Sequence, residues 1–161
     1  MTESAVVNAS PLIYLSRADL FDLLRLAGGR VLVPEPVAAE LRARGSDDPA
    51  VKAMEGVEWL EVVESPPAPQ SVLDWNLGIG ESSVLARALF HGDCRAVIDD
   101  LHGRRCAEAL GVPLRGTLGL VLRAKRSGRI DSARAAVERL RGAGMYLSRP
   151  LADRALAEVG E

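Results

Sequence analysis

Short apolar runs alternate with segments of helical periodicity along the whole chain, and that alternation leaves few folds open. The apolar runs are SAVVNA (4–9), RVLV (30–33), EWLEVVE (58–64), CRAVI (94–98) and VPL (112–114). Each is short enough for a strand and rich in Val, Leu or Ile. Between the first two, Ser10 and Pro11 open a helix, with Ser10 as its cap and Pro11 in its first turn. Leucines 12, 15, 20, 23 and 24 continue it at helical spacing to position 26, where Gly28-Gly29 stops it. Further helices read over 35–44, 49–55, 81–91 and 100–110, with a short one before Gly78, and three more close the chain over 117–127, 132–140 and 151–159. Buried strands joined through helices by short loops specify a parallel sheet covered on both faces. The expectation is one α/β domain over 1–161, with 117–161 as closing helices.

A chain of 161 residues buries an adequate core without disulfides or structural metal. Its two cysteines, Cys94 and Cys106, form no metal-type pair, and its two histidines, His91 and His102, lack zinc-site neighbours. Buried free thiols in a reducing compartment follow. The N-terminal stretch has neither a basic leader nor an apolar run long enough to span a bilayer, so a cytoplasmic protein with no membrane partner is expected. Nucleophilic-serine and zinc-protease motifs are absent, and the glycines at 78 and 80 match a dinucleotide fingerprint poorly.

Net charge is −2, but its distribution is uneven. Residues 1–80 hold 6 basic and 12 acidic side chains, whereas 81–161 hold 14 basic and 10 acidic. Eight of those basic residues fall between positions 115 and 141. This tract either attracts phosphate or forms two solvated helix faces.

In open parallel sheets, ligands gather beyond the carboxyl ends of strands, where strand order reverses. Polar residues leaving strands or entering the next helix are therefore the candidates. Asn8 ends the first strand, and Asp99-Asp100 end the fourth. Glu81 opens a helix after Gly78-Ile79-Gly80, and Glu40 lies in the second helix among Val37, Ala38 and Leu41. Oxygen ligands of this kind suit Mg²⁺ or Mn²⁺, which retain several waters. Taken singly, Asp100 reads as a helix cap, Glu81 as a complement to a helix dipole and Glu40 as a solvated position. The adjacent pair Asp99-Asp100 is harder to explain that way, because two carboxylates repel unless something positive stands near. A cation or Arg104-Arg105 would serve.

With these residues located, the chain resembles PIN-domain proteins. The likeness is to a branch reading VVNASPLI, then GE, then IDD…GRR, then GTLG…AK, and here these motifs occur in order from about residue 5 to beyond 147. The resemblance implies a three-layer α/β/α sandwich with a mostly parallel sheet of about five strands, the first and fourth side by side. It implies a Mg²⁺- or Mn²⁺-dependent ribonuclease, and many relatives are toxins of toxin–antitoxin pairs. The family's acids fall at Asn8, Glu40, Glu81 and Asp100 or Asp99, and Ser10 matches a small hydroxyl residue after the first acid. On this reading Glu40, Glu81, Asp99 and Asp100 are catalytic, and Asn8, Glu81, Asp99 and Asp100 hold the metal. An amide at position 8 lacks a carboxylate's charge, so weaker metal affinity is expected.

Two functions of different class follow. One is metal-assisted hydrolysis of RNA, with Ser10, Arg104, Arg123, Lys125, Arg126 and Arg129 contacting the nucleic acid. The other is a module that has lost catalysis and binds RNA or a protein partner, such as an antitoxin-like protein. The apolar stripe Leu151, Ala155, Leu156 and Val159, together with the family likeness, points to a homodimer or tetramer.

Overall fold

The computed structural model describes residues 3–161. Its sheet holds five parallel strands in the order β3-β2-β1-β4-β5: β1 (Ser4–Val7), β2 (Arg30–Pro34), β3 (Leu60–Val63), β4 (Cys94–Val97) and β5 (Leu114–Arg115). Helices enclose it as a three-layer α/β/α sandwich: α1 (Ala9–Arg17), α2 (Glu35–Arg42), α3 (Pro49–Gly56), α4 (Gln70–Leu73), α5 (Ile79–Phe90), α6 (Leu101–Ala109), α7 (Thr117–Arg126), α8 (Ala133–Gly142) and α9 (Arg149–Ala157). Central strands have no solvent face, so Val6, Val7, Val33 and Val97 are fully buried, and the apolar runs of the sequence are the core itself. α5 packs across the central strands and against α2, while α7 packs against α8 and α9. Both cysteines are free and buried, as expected.

Three local expectations need correction. The first helix does not reach position 26. It ends at Arg17, and Asp19 takes a left-handed φ of 56°. The Leu20 N–H then donates to the Leu15 carbonyl and the Asp19 N–H to the Ser16 carbonyl, at 2.8 and 3.2 Å. That is a helix stop of the kind glycine usually supplies, here made by an aspartate that tolerates the conformation. A separate 3-10 turn, Phe21–Leu26, carries the remaining leucines. The cap of α1 is Asn8 rather than Ser10, and Pro11 still fits because the first turn needs no N–H from it. The last strand lies at Leu114–Arg115 rather than 112–114, since Pro113 cannot donate to the ladder.

Candidate active site

The order of the strands fixes the place of the site. The chain leaves β1 toward β2 on one side, and β4 later returns to β1's other side, so strand order reverses between β1 and β4. Val7 pairs with Val97, and the Asn8 N–H donates to the Val97 carbonyl at 3.1 Å. Asn8 therefore leaves the sheet beside Ile98, immediately before Asp99 and Asp100.

Asn8 is only 4 % exposed, occupies the cap position of α1 and makes no capping bond with its side chain. It lines a cleft of about 550 Å³ together with Ser10, Glu40, Gly80 and Glu81. Glu40 projects from the exposed side of α2, away from buried Val37, Ala38 and Leu41. Glu81 sits in the first turn of α5 and is half-buried. Asp100 caps α6, its Oδ2 accepting from the Gly103 N–H at 3.1 Å, while its Oδ1 has no hydrogen-bond partner among the described residues.

Three glycines admit these side chains. A Cβ on Gly80 would lie 2.9 Å from Glu40 Oε2 and 3.6 Å from Asn8 Oδ1. One on Gly103 would lie 3.1 Å from Glu81 Oε2, and one on Gly116 would lie 3.1 Å from Asp99 Oδ1 and 2.7 Å from Arg104 Nη1. The absence of a side chain at each position is thus a condition for the polar groups to sit where they do.

Burial raises the pKa of Glu81 above its ordinary value, Asp100 and then Glu40 raise it further, and His102 partly offsets them. These three acids share one electrostatic environment. Asp99 is different. Its Oδ1 accepts from the Thr117 N–H at 2.7 Å and its Oδ2 from the Thr117 hydroxyl at 2.6 Å. Burial still raises its pKa, against the lowering effect of those bonds and of Arg104. Both Asp99 oxygens are engaged at the start of α7, which leaves Asp100 as the aspartate with a free oxygen.

Among the described residues, no three His, Cys, Asp or Glu side chains stand close enough to form a ready metal cage. What the site offers is a looser set of hard oxygens: in the cleft, the Asn8 amide with Glu40 across Gly80, and Glu81 across Gly103 from Asp100, which stands outside the cleft's lining. Glu81's reluctance to ionise beside its neighbours is what a cation would relieve, so the donor set fits a hard divalent ion that keeps part of its water.

Of the residues expected to contact nucleic acid, only some line one groove. Ser10, Arg104 and Arg126 line a second groove of about 880 Å³, which meets the acidic cleft at Ser10. Arg123, Lys125 and Arg129 are not part of its walls. Lys125 pairs with Glu161 at 3.6 Å and Arg126 with Glu158 at 3.2 Å, so half of that tract is neutralised within the chain. Arg104 is fixed by donating from Nη1 to the Ile98 carbonyl at 2.9 Å. Sequence reasoning gave no role to Thr117, to Gly103 and Gly116, or to Tyr14 and Tyr146 in the groove. A Gly-Thr pair opening a helix, and a tyrosine between two apolar residues after a glycine, were the available signals.

Fold and cleft together define a parallel α/β sandwich with an acidic site at its strand-order reversal. The family model described as PIN domain (DUF3368) matches residues 4–161, and the chain belongs to that family. PIN domains are generally nucleases and typically use divalent metals. No curated protein matches the sequence.

Proposed function

We propose that the chain is a divalent-metal-dependent endoribonuclease that hydrolyses RNA phosphodiester bonds, and that it acts as the toxin of a toxin–antitoxin pair with a small protein antidote. The observation that carries the reading is Glu81, an acid in a cleft at the sheet's reversal point whose charged form is disfavoured first by burial and then by Asp100 and Glu40. When bound, Mg²⁺ or Mn²⁺ supplies Lewis acidity: it offsets charge building on the phosphate and acidifies water. Glu81 and the Asn8 amide would hold it, with Glu40 and Asp100 beside them. Asp100 Oδ1, free of other bonds, takes the proton from the attacking water. Arg104, held against the Ile98 carbonyl, meets a phosphate oxygen beside the scissile bond. Asp99 works through Thr117, positioning α7.

The test is cleavage of end-labelled RNA by the purified protein in Mn²⁺ and in chelator, with Glu81→Gln and Asp100→Asn alongside. Metal-dependent cleavage that falls at least about 100-fold in Asp100→Asn is expected, in line with the loss of a general base. A folded wild type that cleaves nothing in Mn²⁺ would instead establish the second reading, a PIN-fold module that binds RNA or a protein. Asn8 is the observation that favours that alternative, because it removes one charge from the cleft.

A further inference from the structure

Tyr146 is 87 % exposed, yet the backbone that carries it is fixed. Gly144 turns the chain at a φ of 103°, the Met145 N–H donates to the Leu140 carbonyl at 3.0 Å, and Arg141 Nη2 donates to the Leu147 carbonyl at 3.0 Å. Met145 and Leu147 point inward and are buried, so Tyr146 between them points out. A large ring carried into water on a fixed stretch of backbone gains little for the fold. It is, however, placed on the rim of the second groove, and Tyr14 lines the same groove. The chain has only two tyrosines, and both are here.

Resting on the reading of the cleft as one that acts on RNA, we infer that this groove seats an unpaired nucleobase of a single-stranded RNA, stacked on Tyr146, with its phosphate directed to Arg104. The groove is roomy enough at about 880 Å³, its side wall from α7 and α9 is apolar at Leu118, Leu122 and Leu151, and it opens into the acidic cleft at Ser10. Its charge suits a phosphate chain better than a protein segment. Arg126 and Glu158 neutralise one another and Asp99 is engaged by Thr117, which leaves two arginines in no ion pair among the described residues, Arg104 and Arg115, against one carboxylate, Asp100. Stacking on an aromatic face tolerates any base but requires that the base be free of a partner. The seat therefore selects single-stranded over paired RNA and sets no sequence.

The experiment is binding in chelator at low salt, where no cleavage occurs, using an oligoribonucleotide with 2-aminopurine placed at successive positions and a duplex of the same sequence. Wild type should prefer the single strand and quench the fluorescence at one or two positions. Tyr146→Ala, an exposed site that leaves the core untouched, should weaken single-strand affinity about tenfold and abolish the quenching, while Tyr146→Phe retains both. Equal affinity of Tyr146→Ala and wild type overturns the seat, as does equal binding of duplex and single strand. A wild type that binds no RNA, but whose sedimentation changes in Tyr146→Ala, also overturns it and assigns the ring to a protein interface. Quenching that depends on Tyr146 in a protein inert with Mn²⁺ supports the seat and removes the nuclease reading. Metal-dependent cleavage in a protein whose RNA binding ignores Tyr146 does the reverse.

Discussion

Asn8 occupies a cap position without capping, and its side chain faces Glu40 across Gly80. Asn8→Asp adds a carboxylate to a group already strained by Glu81, so the metal-free protein should lose roughly 1 kcal/mol, or about 2–4 °C of melting temperature. Added Mn²⁺ should recover more than this loss by binding the folded state. Melting curves of wild type and variant that respond identically to Mn²⁺ would remove position 8 from the metal site. Glu81 and Asp99 offer a sharper contrast. Both hold protons more tightly when folded, so their contribution to stability is full below the ordinary carboxyl range and is lost as pH rises through their raised values. Glu81→Gln should therefore raise the melting temperature at neutral pH in chelator and flatten that pH dependence. Asp99→Asn should cost about 1–2 kcal/mol of stability at low pH and less as pH rises through the raised value of Asp99, because an amide has one oxygen where the carboxyl has two to meet the Thr117 N–H and hydroxyl. If both variants stabilise, the Thr117 contact is not what holds Asp99. That contact was not legible in the sequence, since it joins residues from different elements through side-chain geometry alone. The acids themselves were legible, because each stands just after a strand or in a helix that follows one.

At the scale of elements, the strands and most helices could be read because buried parallel strands leave continuous apolar runs. The break in the first helix could not, because an aspartate did the work that a glycine usually advertises. The basic tract was visible as composition but not as surface. α7 and its following turn spend Lys125 and Arg126 on Glu161 and Glu158, carboxylates from the far end of the chain. Arg123 and Arg129 remain exposed and outside any ion pair among the described residues. If they meet phosphate, Arg123→Ala and Arg129→Ala should each reduce the salt slope of single-stranded RNA binding by about 0.7, with Arg126→Ala changing it less. Fluorescence anisotropy over a salt titration measures this. An equal change in Arg126→Ala would mean that Arg126 leaves Glu158 when RNA binds.

For the whole molecule, the stripe expected to join copies is largely covered within one chain: Ala155 and Leu156 are buried, and Leu151 alone is strongly exposed. Apart from Phe90 at the end of α5 and Tyr146, the other exposed large apolar side chains among the described residues are Leu73, Ile79 and Leu101. These flank the place where His102 Nε2 meets the Trp75 carbonyl at 2.7 Å. A dimer meeting on this patch should sediment as such at micromolar concentration and become monomeric on Ile79→Asp with Leu101→Asp. A wild-type monomer under the same conditions counts against assembly. Among the described residues, no helix is long and apolar enough to cross a membrane. The sheet order also governs how the molecule comes into being. Ser4 lies opposite Cys94, so β1 keeps one edge open until most of the chain has been synthesised. A half-made chain on the ribosome already carries Asn8, Glu40 and Glu81 but has no β4 to align them with Asp100. The cleft therefore stays unassembled during translation, beside the RNA that is directing it.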